Sequence, residues 1–140
     1  MNPKIVKSIV SGIVATAVMS LVMFLGPFMG LPEMNAAQML ADMAQLPIEI
    51  GWMMHFIIGI IFASGYVFLL NEKLPIGNDF LRAGIYGFIV FIFAQVMLGV
   101  MSLVMPAPEP PPGVNMLLMM VGSIIGHLVY GAVLGFFIKR

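Results

Sequence analysis

The sequence predicts an all-α protein, a transmembrane four-helix bundle, and three observations predict it. Hydrophobic residues make up 61% of the 140 residues and charged residues only 9%, whereas about a quarter of a typical soluble domain is charged. Four apolar stretches are each long enough for the roughly 20 residues of helix that cross a hydrocarbon core. The connections between them leave little room for a soluble domain, so we expect residues 1–140 to form a single integral membrane domain.

The predicted spans follow one another at residues 8–29, 50–70, 83–105 and 116–138. Gly26-Pro27 should bend or weaken the end of the first helix, because proline cannot donate a helical hydrogen bond. Residues 33–45 contain good helix formers with apolar residues on one side, which predicts a short amphipathic helix on the outer membrane surface. The proline-rich residues 106–112 predict a stiff connector between the third and fourth spans.

The charges predict an orientation in the membrane. Every basic residue falls at the N-terminus, in the central connection or at the C-terminus, three segments that share one side of a four-span protein. These residues are Lys4, Lys7, Lys73, Arg82, Lys139 and Arg140. The other two connections carry acidic residues and no Lys or Arg. By the positive-inside rule, both termini of this multi-pass protein are expected on the cytoplasmic side. Cysteine is absent, which excludes disulfides and thiolate metal sites.

Two histidines lie in hydrophobic spans that are otherwise uncharged. His55 and His127 are 72 residues apart. Small residues surround both at the same helical spacing, in the columns Gly51–His55–Gly59–Ala63 and Ser123–His127–Gly131–Gly135. An ionisable side chain within a span costs about 3 kcal/mol and normally faces the interior of a bundle. We therefore expect both imidazoles to face a common centre.

The same shift of 72 residues relates the two halves of the chain. Each half contains two spans, so both halves enter the membrane in the same direction. We therefore predict two helical-hairpin repeats, related by a pseudo-two-fold axis along the membrane normal. His55 is six residues from Glu49, whereas His127 is twelve from Asn115. At 1.5 Å per residue this is a depth mismatch of about 9 Å, which counts against the pairing unless the fourth helix is tilted or extends past the bilayer.

Three segments resemble those of a family of small four-span bacterial integral membrane proteins of unknown function. They are SGIVAT at 11–16, GWMMHFIIG at 51–59 and GHLVYGAVLG at 126–135. The resemblance covers most of the chain and implies a four-helix fold in the bacterial cytoplasmic (inner) membrane. It carries no activity, so function is argued from the residues.

One hypothesis is that the histidine pair is structural. A neutral histidine can hydrogen-bond a carbonyl, a hydroxyl or Gln95 across a helix interface and so lock the bundle. The protein would then be an accessory or scaffold subunit of a membrane assembly, bound to other membrane protein subunits or to itself. The chain has no nucleophile–base set for catalysis and no basic patch for nucleic acid.

The alternative is a membrane cytochrome for electron transfer. Neutral His55 and His127 can occupy both axial positions of a haem b iron. Small residues near the histidines, namely Gly51, Gly59, Ser123 and Gly131, would leave room for the flat ring. The carbonyls of Gly51 and Ser123, or the Ser123 hydroxyl, would orient the imidazoles. The outer half offers no cationic partner for the propionates, which counts against this hypothesis.

A third hypothesis is copper handling. The chain contains 15 methionines, and thioethers with imidazole suit Cu(I). Candidate ligands are Met34, Met39, Met43, Met53, Met54 and His55. Methionine is also an ordinary filler of apolar interiors, and most of these residues are scattered through the spans.

Overall fold

The computed structural model describes residues 2–105, 109 and 112–139. In this part of the chain five α-helices follow one another: α1 Pro3–Phe24, α2 Ala36–Ala44, α3 Ile48–Gly65, α4 Asp79–Met101 and α5 Met116–Phe137. A 3-10 helix, Gly26–Met29, follows α1, and α3 continues as a π-helix, Tyr66–Leu70. Four of the helices are long and apolar enough to cross a membrane, which confirms the all-α transmembrane prediction. Of the predicted proline-rich connector, residues 106–108, 110 and 111 lie outside the described residues.

Asparagine caps set where the helices begin. The side chains of Asn2, Asn35, Asn78 and Asn115 each accept a backbone N–H of the first turn, which satisfies a donor that has no partner within the helix. For this reason α1 and α4 begin four or five residues earlier than hydropathy alone predicts. α1 ends at Phe24, because the chain tightens into the 3-10 helix at Gly26-Pro27.

α1 is the central helix of the bundle. It packs along α3 on one side and α5 on the other, whereas α4 packs along α5. The buried face of α1 is a stripe of small residues that includes Ser8, Gly12 and Thr16. A Cβ added to Gly12 would lie 2.8 Å from the Cα of Ile60. Small residues therefore allow the backbones to approach closely, which is the main source of helix association in lipid.

α2 forms within the predicted segment 33–45, and it packs on α3. Its buried side chains, Ala37, Leu40, Ala41 and Met43, face α3, against which α2 packs. A Cβ on Gly51 would collide with the carbonyl oxygen of Ala37. The absence of a side chain at Gly51 lets the two backbones meet, so α2 belongs to the packed bundle.

The two predicted repeats do not pack equivalently. Under a pseudo-two-fold axis, the α1–α5 interface would be matched by an α4–α3 interface. α1 packs closely along α5, whereas α3 and α4 meet through aromatic side chains. Phe62 and Phe93 have ring centroids 5.5 Å apart, and Tyr66 and Tyr86 have theirs 4.9 Å apart. The repeat therefore stays a prediction, with this difference between its halves.

Candidate functional site

His55 is held between α3 and α1. Its side chain is buried, and its Nε2 lies 3.1 Å from the Oγ of Ser20. The same Oγ lies 2.8 Å from the carbonyl oxygen of Thr16, which can only accept, so Ser20 donates its one proton there. Ser20 must therefore accept from His55 Nε2–H, which leaves the lone pair on Nδ1. This hydrogen bond joins two helices within the membrane-spanning part of the bundle.

His127 has different partners. Its Nδ1 lies 2.8 Å from the carbonyl oxygen of Ser123, one turn earlier on the same helix. Because a carbonyl only accepts, Nδ1 carries the proton and Nε2 carries the lone pair. The half-buried ring packs edge-to-face on Phe91 of α4, with centroids 5.7 Å apart. The second imidazole is thus held by its own helix and by α4.

The two histidines lie at a common level along α1. Gly126, next to His127, packs against Met19 and Met23, and a Cβ there would be 3.1 Å from the Met23 Sδ. Ser20, the partner of His55, lies between these two methionines on α1. Both sets of contacts therefore fall on the same stretch of α1, residues 19–23, although residue counts predict a mismatch in depth of about 9 Å.

A second polar contact spans α5 and α3 one turn deeper. The Tyr130 hydroxyl donates to the carbonyl oxygen of Gly59 at 2.6 Å. Tyr86 of α4 donates likewise to the carbonyl oxygen of Phe62 at 2.7 Å. These buried tyrosines connect both helices of the second half to α3. Sequence reasoning missed them, because a tyrosine in an apolar span does not indicate which carbonyl it will reach.

The small residues predicted to make room for a haem are in contact with neighbouring helices. A Cβ on Gly51 would collide with α2, one on Gly59 with Thr16 of α1, and one on Gly131 with the carbonyl oxygen of Ala83 on α4. The carbonyl of Ser123 does bond its histidine, but His55 bonds Ser20 and not the carbonyl of Gly51. In this packing the space beside the histidines does not fit a porphyrin.

The methionines proposed for copper are spread over different surroundings. Met43 is buried in the contact between α2 and α3, whereas Met53 is 58% exposed. Met34 packs instead against Gly122 of α5. Among the described residues, no three His, Asp or Glu side chains form a group that could hold a metal ion.

Arg82 is a residue whose role the charge pattern alone did not reveal. Counted in the sequence as a charge of the central connection, it lies in the first turn of α4 and is fully buried. Its guanidinium donates to the carboxylate of Asp79, to the Oδ1 of Asn71 at 3.1 Å and to the carbonyl of Ile76 at 2.8 Å, and it also contacts the Tyr66 hydroxyl. The Asp79–Arg82 spacing of three residues, which suits a helical ion pair, was the available signal.

The C-terminal half of α4 has a polar residue with no partner among the described residues. Gln95 is exposed and forms no hydrogen bond there, so the expected bond within the bundle is not made. A Cβ added to Gly84 or Gly99 would meet nothing within 4 Å. At 100° per residue, Gly84, Gln95 and Gly99 fall within an arc of about 60°. We call this surface the Gln95 face.

Comparisons with known proteins bear on the family. Searches among curated proteins and among solved structures give no match. The profile of a family of unknown function, DUF6789, matches residues 2–140. Because that match spans nearly the whole sequence, the chain belongs to the DUF6789 family, whose function is unknown.

Proposed function

We propose that this protein is an accessory or scaffold subunit of a membrane assembly, and that it acts by contact through the Gln95 face. The observation that carries the proposal is the exposed carboxamide of Gln95 on a membrane-spanning helix. A polar group left unpaired in hydrocarbon costs about 2–7 kcal/mol. Lipid tails offer it no hydrogen bond, whereas a neighbouring helix does.

The glycines of this face support the same proposal. Gly84 and Gly99 leave open space on either side of Gln95. Small residues in such positions allow a second helix to approach closely enough for its backbone or side chains to bond the carboxamide. The proposed occupant is a transmembrane helix, either of another subunit or of a second copy of this chain.

In this proposal the histidines hold together the helices of the bundle and thereby keep α4 in position. His55 ties α3 to α1 through Ser20, and His127 packs on Phe91 of α4. A neutral imidazole that bonds across or along helices is a structural use of histidine in a bundle. Both histidines thus act by holding helices together and contact no substrate.

Cysteine crosslinking tests the contact directly, because the natural chain contains no cysteine. Gly99→Cys places a thiol on the Gln95 face, and Val100→Cys places one at nearly the same depth but about 100° around the helix. Under mild oxidation in native membranes, a self-associated protein gives a dimer from Gly99→Cys alone. A thiol-directed photocrosslinker at the same position captures a different subunit. Equal crosslinking from both positions would contradict the proposal.

The proposed location is the bacterial cytoplasmic membrane with both termini inside. An ion pair of 3.0 Å between Lys4 and Glu72 joins the N-terminal segment to the α3–α4 connection, which supports their lying on one side. A membrane-impermeant maleimide should label Glu33→Cys in intact cells and should label Lys73→Cys only after lysis. The reverse result would invert the orientation.

The haem hypothesis has a direct spectroscopic test. Because Gly51, Gly59 and Gly131 are in contact with other helices, we expect the purified protein to show no Soret band. A Soret band that disappears in both His55→Ala and His127→Ala would contradict the structural role of the pair. It would also require the helices beside those glycines to separate.

A further inference from the structure

A cleft lies at the end of the bundle where α1 runs into α2. It has a volume of about 100 Å³ and is open on one side. Its walls combine polar and apolar groups: Ser20, Phe24, Glu33, Met34, Asn35 and Trp52 are among them. The indole of Trp52 lies 6.2 Å from the imidazole of His55, centroid to centroid. The cleft thus lies next to the hydrogen bond between His55 and Ser20.

The charged residues at this end of the molecule are acidic. The two connections here carry Glu33, Asp42, Glu49 and Glu109, with no Lys or Arg. The Glu33 carboxylate forms no ion pair with a described residue. A carboxylate in the wall of a cleft, in a region without basic residues, attracts a cation.

We propose that this cleft binds an organic ammonium group. An ammonium ion is attracted both to a carboxylate and to the face of an indole, and Glu33 and Trp52 supply these two groups. The side chains of Phe24 and Met34 provide apolar contact for the methyl or methylene groups next to the nitrogen. Mg²⁺ fits less well, because it requires near-ideal octahedral oxygen coordination.

Two kinds of ligand carry such an ammonium group: a phospholipid headgroup and a free amine. Trp52 lies in the first turns of a membrane-spanning helix, at the level where indoles are enriched beside headgroups. The proposal does not depend on the proposed scaffold function, since it concerns a different surface from the Gln95 face.

Trp52 supplies a direct reporter because it is the only tryptophan in the chain. The purified full chain in detergent is titrated with tetramethylammonium chloride and, separately, with sodium chloride at the same ionic strength. We expect a saturable change in Trp52 fluorescence with tetramethylammonium and none with sodium. No saturable change, or equal changes with both salts, would overturn the proposal.

A pair of variants separates the cleft from the general negative field. Glu33→Lys and Glu49→Lys change the net charge equally, and both residues are exposed at the same end of the molecule. We expect Glu33→Lys to weaken tetramethylammonium binding by at least about tenfold, and Glu49→Lys to change it by less than about twofold. Equal weakening in two variants with the natural helical circular dichroism would overturn the assignment to the cleft.

Reconstitution distinguishes the two sources. The protein is placed in nanodiscs of phosphatidylglycerol alone or with added phosphatidylethanolamine. If the natural occupant is a lipid headgroup, phosphatidylethanolamine fills the cleft and suppresses the Trp52 response to tetramethylammonium. If it is a free amine, the response is the same in both discs, and either result supports an ammonium site. A response absent even in phosphatidylglycerol discs would overturn it.

Discussion

Gly131 and Gly99 both lie in apolar spans, and nothing in the neighbouring sequence separates their roles. In the structure Gly131 packs against the backbone of α4, and a Cβ added to it would lie 3.0 Å from the Cα of Gly87. A Cβ added to Gly99 would meet nothing within 4 Å. The first glycine is required by packing inside the bundle. The second makes no packing contact within the described residues, and we propose that it serves contact with a partner helix.

Alanine at these two glycines should therefore have opposite effects on stability. Gly131→Ala is expected to lower the free energy of unfolding by about 1–3 kcal/mol, because the added methyl overpacks the α4–α5 interface. Gly99→Ala should raise it by about 0.5–1 kcal/mol, because alanine is the better helix former. Thermal unfolding in detergent, followed by circular dichroism, measures both. If both variants changed the free energy of unfolding equally, the α4–α5 interface would accommodate the added methyl group without overpacking.

The hydrogen bond between His55 and Ser20 is a second feature at the scale of single residues. Ser20→Ala leaves the buried Nε2–H of His55 without an acceptor and should cost about 1–3 kcal/mol of stability. Ser102→Ala is the matched control, since its hydroxyl bonds only the carbonyl of Gly99 on its own exposed turn. Its effect should be below about 0.5 kcal/mol. In a His55→Phe background the Ser20→Ala cost should largely vanish; a cost that persists would mean that Ser20 acts independently of the histidine.

At the scale of elements, the connection between α3 and α4 depends on one buried guanidinium. Arg82 donates to Tyr66 in the π-helix and to Asp79, the first residue of its own helix. It also holds the intervening segment through Asn71 and the carbonyl of Ile76. Its hydrogen bonds and its pairing with Asp79 allow a charge to be buried at a helix end, where an unpaired charge would be strongly destabilising.

Lysine cannot replace this guanidinium. Arg82→Lys keeps the charge but supplies one compact ammonium in place of a planar fork that reaches several acceptors, so we expect a loss of about 1–3 kcal/mol. Lys73→Arg, at an exposed site in the same connection, should be neutral. Thermal unfolding gives the stabilities, and limited proteolysis reports on residues 71–78. If Arg82→Lys resisted heat and protease as well as the natural protein does, a positive charge alone would be enough to stabilise this connection.

At the scale of the whole molecule, α1 is covered by α3 and α5, whereas one face of the C-terminal half of α4 is exposed. Gln95→Leu removes the carboxamide but touches no hydrogen bond of the described chain, so the fold should be retained. Association with the proposed partner should weaken, because an interhelical hydrogen bond in a membrane contributes about 0.6–2 kcal/mol. Native gel electrophoresis of solubilised membranes should show a shift toward the free protein. Met97→Leu, a volume-conserving change on the same helix, should keep the complex, and an unshifted Gln95→Leu would contradict the role of this face.

Much of the architecture was predictable because the responsible signals are local. The number and approximate positions of the spans follow from length and hydropathy, and an amphipathic segment predicts α2. The spacing of Ser123 and His127 already placed a carbonyl one turn from the imidazole. The capping asparagines also stand in the sequence, yet they moved the helix starts by several residues, because hydropathy does not register a cap.

The sequence by itself determined the membrane as solvent, the four spans and the two intramembrane histidines, since these depend on composition and on residues close together along the chain. Only the tertiary structure decided which helix packs against each glycine. It also decided that α2 packs on α3, that His55 bonds Ser20 and that Gln95 lies on the surface of the bundle. The physical reason is rotational: hydropathy is nearly uniform around each span, so it does not determine which face turns inward. That choice depends on backbone contacts between residues far apart in the chain, such as Gly12 with Ile60 and Gly87 with Gly131.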